Sequence, residues 1–221
     1  MIRLPAMGTR EGMGVETGGE PRALAPTQAA VKRGFDVICA AGGLALTFWL
    51  IGLAWLVATV DTRANGFFMQ ERVGRGGYRF RVIKLRTMRD DSANRTTVTT
   101  STDDRITRIG RILRYTRLDE LPQLINVLLG DMSFVGPRPD VPGYADTLEG
   151  EDRIILSLRP GITGPATLKY RNEEALLAEV PDPEAYNREV IWPDKVRLNR
   201  EYVHNWSFRR DLWYLWKTLL A

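Results

Sequence analysis

Hydrophobic positions divide the chain into one long apolar run and several shorter patterned stretches. The apolar run extends from Val37 to Val60 without a charged residue. It is about long enough to cross the hydrocarbon core of a bilayer as a helix, and it is too long and too far along the chain to be a cleavable signal peptide. The pattern therefore predicts a membrane-inserted helix over residues 31–62.

Basic residues flank the apolar run on both sides. Lys32 and Arg33 precede it, and a series of arginines follows it from Arg63 onward. Because cytoplasmic flanks carry the excess of Lys and Arg, these charges do not distinguish the two ends of a spanning helix. Two geometries stay open: an ordinary spanning helix, and a re-entrant helix that enters one leaflet and returns to the cytoplasmic side.

The remaining patterns predict a compact, mostly helical α+β domain over residues 63–221. Alternating residues around a glycine-rich turn predict a small β-hairpin between Phe67 and Met88. The alternation places Lys84 and Arg86 on the same face of its second strand. Residues 1–30 are rich in Gly and Pro without periodicity, which predicts a disordered tail, and the polar residues 90–104 predict a linker.

Two further stretches predict amphipathic helices. Arginines recur at every third position from Arg105 to Arg114, and an isoleucine follows each of the first three. A basic amphipathic helix suits anionic lipid or phosphate, although an exposed helix with solvated arginines has the same pattern. The second helix begins at Ser207 and combines an apolar stripe with several aromatic residues, which suits a membrane interface or a core-facing helix.

Composition narrows the classes of ligand and chemistry. The 221 residues include 31 Lys and Arg against 27 Asp and Glu, and the basic residues crowd between Arg63 and Arg117. Such a local field suits phosphate groups, but the modest net charge of +4 argues against nucleic acid as the main ligand. A single Cys and a single His exclude an internal disulfide and leave almost no material for a Cys/His zinc site or a Ser-His-Asp triad.

Two adjacent carboxylates, Asp119 and Glu120, carry the candidate chemistry. The leucine spacing that follows predicts a helix with Pro122 in its first turn, so both carboxylates would lie at a helix N-terminus, near a favourable site for phosphate. Adjacent positions on a helical turn point about 100° apart, so the two would have different tasks. One carboxylate would attack phosphorus while the other holds a divalent cation. Taken alone, an Asp-Glu pair is more often solvated surface charge.

Two short loops each display an arginine beside proline. Arg138 lies between Pro137 and Pro139, and Arg159 precedes Pro160. The restricted backbone would pre-organise each guanidinium for bidentate contact with phosphate, although a plain structural turn has the same residues.

In their order and number, these motifs resemble those of the bacterial sugar transferases, the small monotopic polyprenyl-phosphate phosphoglycosyl transferases. The resemblance covers about residues 32–218. The segments that carry it are Lys32-Arg33-Gly34-Phe35-Asp36, Gln70-Glu71-Arg72-Val73-Gly74, Lys84-Leu85-Arg86-Thr87-Met88, Leu118-Asp119-Glu120-Leu121-Pro122-Gln123-Leu124, Asn126-Val127, Gly130-Asp131-Met132-Ser133, Val135-Gly136-Pro137-Arg138-Pro139 and Arg159-Pro160-Gly161-Ile162-Thr163-Gly164.

The resemblance implies a Mg²⁺-dependent transfer of a sugar-1-phosphate from a UDP-sugar to undecaprenyl phosphate, with release of UMP. It implies that Asp119 is the nucleophile of a covalent phosphosugar intermediate and that Glu120 binds the metal. It also implies a helix-break-helix membrane element, with the catalytic domain on the cytoplasmic face of the bacterial inner membrane. The side chains that it implies for binding the donor are Lys84, Arg86, Arg138, Arg72 and Arg159.

Two segments depart from the pattern of many family members. Phe48-Trp49 stands where many members carry a Ser-Pro break, and residues 165–172 replace a segment that contains Trp-Gln-Val. Two other functions stay open from the sequence: a membrane-attached nucleotide-sugar hydrolase and a membrane-bound interaction protein. The transferred sugar, the glycoconjugate pathway, and the presence of a homo-oligomer are also open at this stage.

Overall fold

The structure, a computed structural model, describes residues 24–89, 100 and 103–220 and has the predicted mostly helical α+β architecture. The predicted linker lies mostly outside the described residues, as do residues 1–23 of the predicted tail. The helices and strands, in chain order, are α1 (Pro26–Thr62), β1 (Phe67–Val73), β2 (Arg79–Leu85), α2 (Arg108–Tyr115), α3 (Gln123–Leu129), β3 (Ser133–Val135), β4 (Gly161–Thr163), α4 (Pro165–Lys169), α5 (Glu173–Ala178), α6 (Pro183–Tyr186), α7 (Trp192–His204) and α8 (Phe208–Leu220).

Helix α1 is continuous and longer than predicted. It begins at Pro26, inside the predicted tail, and ends at Thr62, where Arg63 adopts a left-handed conformation. The helix runs through Phe48 and Trp49 without interruption, so the break expected of a re-entrant element is wrong. The reason is local: beyond Pro26 the helix has no proline, and its glycines weaken it without forcing a kink.

One face of α1 packs against the rest of the protein along most of its length. Its buried residues recur at helical spacing and are Lys32, Asp36, Ala40, Ile51, Ala54, Ala58 and Thr62. Large apolar residues on the other faces are exposed, among them Ile38, Leu46, Phe48, Trp49, Leu53 and Val60. Among the described residues, α1 alone is long and apolar enough to cross a membrane. Its exposed apolar surface fits association with a membrane.

The predicted β-hairpin is confirmed. Strand β1 pairs antiparallel with β2, so that Phe68 lies opposite Lys84. Val82 packs in one buried cluster with Ala40 of α1, and Leu85 packs in another with α1 and α2. The hairpin is therefore fixed against α1, which positions Lys84 relative to the rest of the site.

A second, parallel pair of strands was not predicted. β3 pairs with β4, with Val135 opposite Thr163. These strands have three residues each, too short to show a period-two pattern in the sequence. Their pairing brings together the two arginine-proline loops, because Gly161 N donates to Pro137 O (2.8 Å) and Gly136 N donates to Thr163 O (2.9 Å).

Glycine is required where these two loops cross. A Cβ on Gly161 would lie 2.1 Å from Gly136 N and 2.5 Å from Thr163 O. We expect Gly161→Ala to lower the free energy of unfolding by at least about 2 kcal/mol, because relief of the clash separates the paired backbones. Denaturant unfolding measures the loss.

Gly34→Ala is the matched control for this substitution. Gly34 lies inside α1, and a Cβ there would have no atom within 4 Å. Alanine in that helical position should raise the free energy of unfolding by about 0.5–1 kcal/mol. Equal effects of the two substitutions would contradict the crossing of the loops at Gly161.

A buried polar network joins α1 to the last two helices. Lys32 Nζ donates to Asp211 Oδ2 (2.5 Å) and to the backbone oxygen of Val135 (2.8 Å). Tyr202 and Trp206 also donate to Asp211, at 2.6 and 3.1 Å. The predicted last helix is confirmed as α8, whose Asp211 faces the core while several aromatic and leucine side chains are exposed.

Candidate active site

The two carboxylates of the Asp-Glu pair lie between α2 and α3. Arg117 adopts a left-handed conformation (φ 59°), and the chain then forms a 3-10 turn from Leu118 to Glu120. Their predicted place in the first turn of the next helix is wrong, because α3 begins only at Gln123 after Pro122. Proline has no N–H to donate within a helix, so α3 starts behind it. The environment of the two carboxylates is therefore set by packing and neighbouring charges.

Asp119 is a buried carboxylate with an unsatisfied oxygen. Its exposed fraction is 8 %, and among the described residues its Oδ1 has no hydrogen-bond partner. Burial, together with the charge of Glu120, raises the pKa of Asp119 to about 6, although Lys84, Arg114 and Arg117 oppose the shift. At neutral pH Asp119 is thus mostly ionised, and its buried Oδ1 is an acceptor that no described residue satisfies.

Glu120 has the opposite environment one residue later. Its Oε1 accepts from Lys84 Nζ at 2.9 Å, and it lies 3.5 Å from Arg138 Nη2. Burial alone would raise the pKa of Glu120, but the charges of Lys84 and Arg138 outweigh it and lower the pKa to about 2. The two carboxylates thus differ in basicity, as different chemical tasks require.

Arg72 supports the loop that carries Arg138. Its Nη1 donates to Pro139 O at 3.1 Å, and its Nη2 donates to Gln70 Oε1 at 2.6 Å. Val73 N also donates to Asp140 O at 2.9 Å, which joins the loop to β1. The structure therefore brings Lys84 and Arg138 to the carboxylates and places Arg72 behind Arg138.

The other two predicted donor-binding arginines contact different parts of the protein. Arg86 Nε donates to Asn65 O (2.9 Å), and its guanidinium lies 5.6 Å from the ring centre of Phe68. Arg159 Nε donates to Gly130 O (2.7 Å), at the end of α3 away from Asp119. These contacts place Arg86 beside the loop between α1 and β1, and Arg159 beside the end of α3.

Arg114, whose sequence pattern predicted only a place in the basic helix, also lies at the site. Its Nε donates to Thr87 Oγ1 at 2.9 Å, and its positive charge favours a lower pKa at Asp119. Helix α2 begins at Arg108, later than predicted, because Ile106 pairs with Met88 in a β-bridge and Thr107 caps the helix. Arg114 lies close to Asp119 in the sequence, and this proximity is the feature from which its place at the site could have been predicted.

Comparison with known sequences decides the family. The sequence profile of the bacterial sugar transferases matches residues 27–221, which is most of the chain. The chain belongs to the bacterial sugar transferase family. The resemblance stated from the motifs is thereby confirmed, and with it the prediction of a phosphoglycosyl-transferring enzyme.

Several relatives of this sugar transferase are named after an activity or a pathway. A UDP-glucose:undecaprenyl-phosphate glucose-1-phosphate transferase of Caulobacter vibrioides is 36% identical over 193 residues, which is 85% of this chain and 68% of the relative. The exopolysaccharide production protein ExoY of Rhizobium meliloti is 31% identical over 218 residues, 91% of this chain and 89% of the relative. A putative undecaprenyl-phosphate N-acetylgalactosaminyl 1-phosphate transferase of Bacillus subtilis is 42% identical over 123 residues, 55% of this chain and 69% of the relative.

The Asp-Glu pair could hold a metal ion only together with other ligands, such as the phosphate oxygens of a substrate. Across the described part of the chain, no three Asp, Glu, His or Cys side chains form a group that could hold a metal. Mg²⁺, however, is often bound by only one or two carboxylates together with substrate phosphates. Ionised Glu120, the carboxylate expected to bind the metal, could be such a ligand.

Proposed function

We propose that this sugar transferase transfers a sugar-1-phosphate from a UDP-sugar to undecaprenyl phosphate or a similar polyprenyl phosphate, releasing UMP. The observation that carries the proposal is the contrast between Asp119, buried with a free oxygen, and Glu120, held ionised by Lys84 and Arg138. The names of the relatives supply the classes of donor and acceptor. The product would be a polyprenyl-diphosphate sugar, the starting lipid of a bacterial glycoconjugate or exopolysaccharide.

The proposed reaction has two displacements at one phosphorus atom. In the first, a carboxylate oxygen of Asp119 bonds to the phosphorus next to the sugar, and the bond to the bridging oxygen breaks so that UMP leaves with its electron pair. Lys84 and Arg138 would reduce the negative charge that the donor diphosphate presents to Asp119. In the second, an oxygen of the lipid phosphate attacks the same phosphorus, and the Asp119 carboxylate is released.

We further propose that Mg²⁺ assists this reaction. Glu120 would hold the ion, which when bound would neutralise part of the diphosphate charge. Because Lys84 and Arg138 already contact Glu120 in the described structure, the same carboxylate would also keep both cations beside the donor.

The proposed location is the cytoplasmic face of the bacterial inner membrane. The exposed apolar surface of α1 would lie in lipid, and the exposed aromatic residues of α8 suit the interface. This location would bring a lipid-linked acceptor to the site and would limit hydrolysis of the aspartyl intermediate.

UMP release distinguishes the proposal from the two other functions left open by the sequence. The purified protein in lipid nanodiscs would be given a panel of UDP-sugars with Mg²⁺, with and without undecaprenyl phosphate. We expect multiple turnovers of UMP only with the acceptor. Sustained release without acceptor would favour the hydrolase, and no release under any condition would favour an interaction protein.

The pH dependence of the first displacement should follow the ionisation of Asp119. Because the reactive form is the carboxylate and its pKa is about 6, the rate of the UMP burst should fall about tenfold per pH unit below that value. Measurement of the burst without acceptor avoids titration of the lipid phosphate, whose second pKa is about 6.

Arg117→Gln tests the assignment of this profile. Arg117 is exposed, and its charge lowers the pKa of Asp119, so its removal should move the acid limb to higher pH. A burst rate that is flat from pH 5 to pH 8 would contradict the role of Asp119 as the titrating nucleophile.

A further inference from the structure

The start of α5 contacts the active site from the side of α2. Glu174 Oε1 accepts from Arg114 Nη1 at 2.8 Å. The positive charge of Arg114 in turn favours a lower pKa at Asp119. Arg117 Nη2 also donates to Arg171 O, just before α5, at 3.4 Å. These contacts attach the N-terminal end of α5 to the segment that carries the proposed nucleophile.

The neighbouring residue Glu173 connects α5 to the opposite part of the site. Both of its carboxylate oxygens contact Lys195 Nζ, at 2.8 and 2.7 Å, and Lys195 is only 8 % exposed. The negative charge of Glu173 also favours a higher pKa at Arg138 and Asp140, which lie in the loop that reaches Glu120. Buried Lys195 and partly exposed Glu173 therefore form an ion pair beside the proposed donor site.

Charge balance divides the site into two parts. Around Asp119 and Glu120 the cations are Lys84, Arg114, Arg117 and Arg138. This excess of positive charge suits the phosphates of the donor. In the second part, Lys195 Nζ contacts both carboxylate oxygens of Glu173, so the charges of these two side chains offset each other. A balanced, hydrogen-bonding surface suits a neutral polar group.

The neutral polar part of a UDP-sugar that adjoins its phosphates is the sugar. Its hydroxyl groups both donate and accept hydrogen bonds, and a carboxylate paired with an ammonium offers both partners. We propose that Glu173 and Lys195 contact the sugar hydroxyls and determine which sugar the enzyme accepts. This inference rests on the proposed function and adds to it the side chains that select the donor.

Donor selection predicts a change in relative rates and not only in the overall rate. We would measure kcat/KM for UDP-glucose, UDP-galactose, UDP-N-acetylglucosamine and UDP-N-acetylgalactosamine in the unaltered protein, Glu173→Gln and Lys195→Gln. The ratio between the best and second-best donor should change by about tenfold or more in both variants, because a lost hydrogen-bond partner affects only sugars that use it. A structural role alone would scale all four donors equally.

Lys169→Gln is the matched control. Lys169 likewise joins this helical region to α7, through an ion pair with Asp194 (2.6 Å), but its side chain is half exposed. Its substitution should leave the donor ratio unchanged within about twofold. Glu173→Asp adds a variant that keeps the charge and shortens the side chain, so it should change the ratio even where Glu173→Gln is unstable.

Unchanged donor ratios in Glu173→Asp and in every folded Glu173 or Lys195 variant would overturn the inference. The proposed function would then stand, provided that the unaltered protein releases UMP. Absence of UMP release by the unaltered protein from every donor would instead refute the proposed function, so the two failures are distinguishable.

Discussion

Replacement of Asp119 by asparagine should reduce sugar-phosphate transfer by about 10³-fold or more, because the amide cannot form the proposed bond to phosphorus. The substitution preserves shape, and no hydrogen bond to Oδ1 is lost, since this buried atom has no partner among the described residues. A loss of activity can therefore be assigned to chemistry once folding is verified.

The measurement uses a donor labelled in the sugar and in the β-phosphate. Unaltered protein incubated without acceptor should retain label on the protein, and Asp119→Asn should retain none. Asp152→Asn is the control, because Asp152 is a partly exposed carboxylate that pairs with Arg200 at 2.8 Å; it should keep both labelling and turnover. Labelled Asp119→Asn protein, or full turnover by it, would refute the nucleophile assignment.

The same variant should be more stable than the unaltered protein at neutral pH. The pKa of Asp119 is about 6 in the folded protein against an ordinary value of 3.8, so folding binds protons between these values and stability falls as pH rises through them. Above pH 6 the ionised side chain is a destabilising buried charge. Asparagine should then raise the free energy of unfolding by on the order of 1–3 kcal/mol, as measured by denaturant titration.

Glu120→Gln should lower both activity and stability. We expect a loss of about 10²- to 10³-fold in kcat/KM, because Lys84 and Arg138 lose their carboxylate and the proposed metal loses a ligand. The pKa of Glu120 falls from 4.5 to about 2 on folding, so its stabilisation is present above pH 4.5 and disappears as pH falls toward 2. At neutral pH the variant should therefore lose on the order of 1–3 kcal/mol of unfolding free energy.

Glu201→Gln controls for the loss of one carboxylate, because Glu201 is exposed on α7. The Mg²⁺ concentration that gives half-maximal UMP release should rise in Glu120→Gln and stay unchanged in Glu201→Gln. Equal Mg²⁺ dependence in both variants would contradict the metal-binding assignment. Asp119→Asn and Glu120→Gln should change the free energy of unfolding in opposite directions. The two variants together therefore test whether the pKa values of these adjacent carboxylates are shifted in opposite directions.

Local patterns predicted the elements that are long or strongly periodic. The charge-free run from Val37 to Val60 was sufficient to predict the central part of α1. The alternation of side-chain types was sufficient to predict the hairpin that carries Lys84. The order and number of the motifs, from Lys32 to Gly164, also led to the correct family. The helix and the hairpin were predictable because each depends on residues close together in the sequence.

The remaining features depend on contacts between distant segments. The β3–β4 pair requires Gly136 and Gly161 to approach each other, and no short-range period announces that contact. Lys195 meets Glu173 only after α5 and α7 have packed together. Helix α1 is continuous through Phe48 and Trp49, although a break was expected there. That expectation came from a family pattern and not from these two residues.

The contact between Lys32 and Asp211 joins positions that are 179 residues apart in the sequence. During protein synthesis Lys32 emerges long before Asp211, so the buried face of α1 completes its contacts only after α8 has been synthesised. A nascent chain that ends before α8 leaves Lys32 without its carboxylate partner, which is costly for a buried charge. The contacts of α1 with α8 therefore form only after α8 has been synthesised, and earlier ribosome-bound intermediates expose apolar surface that chaperones or the bilayer must cover.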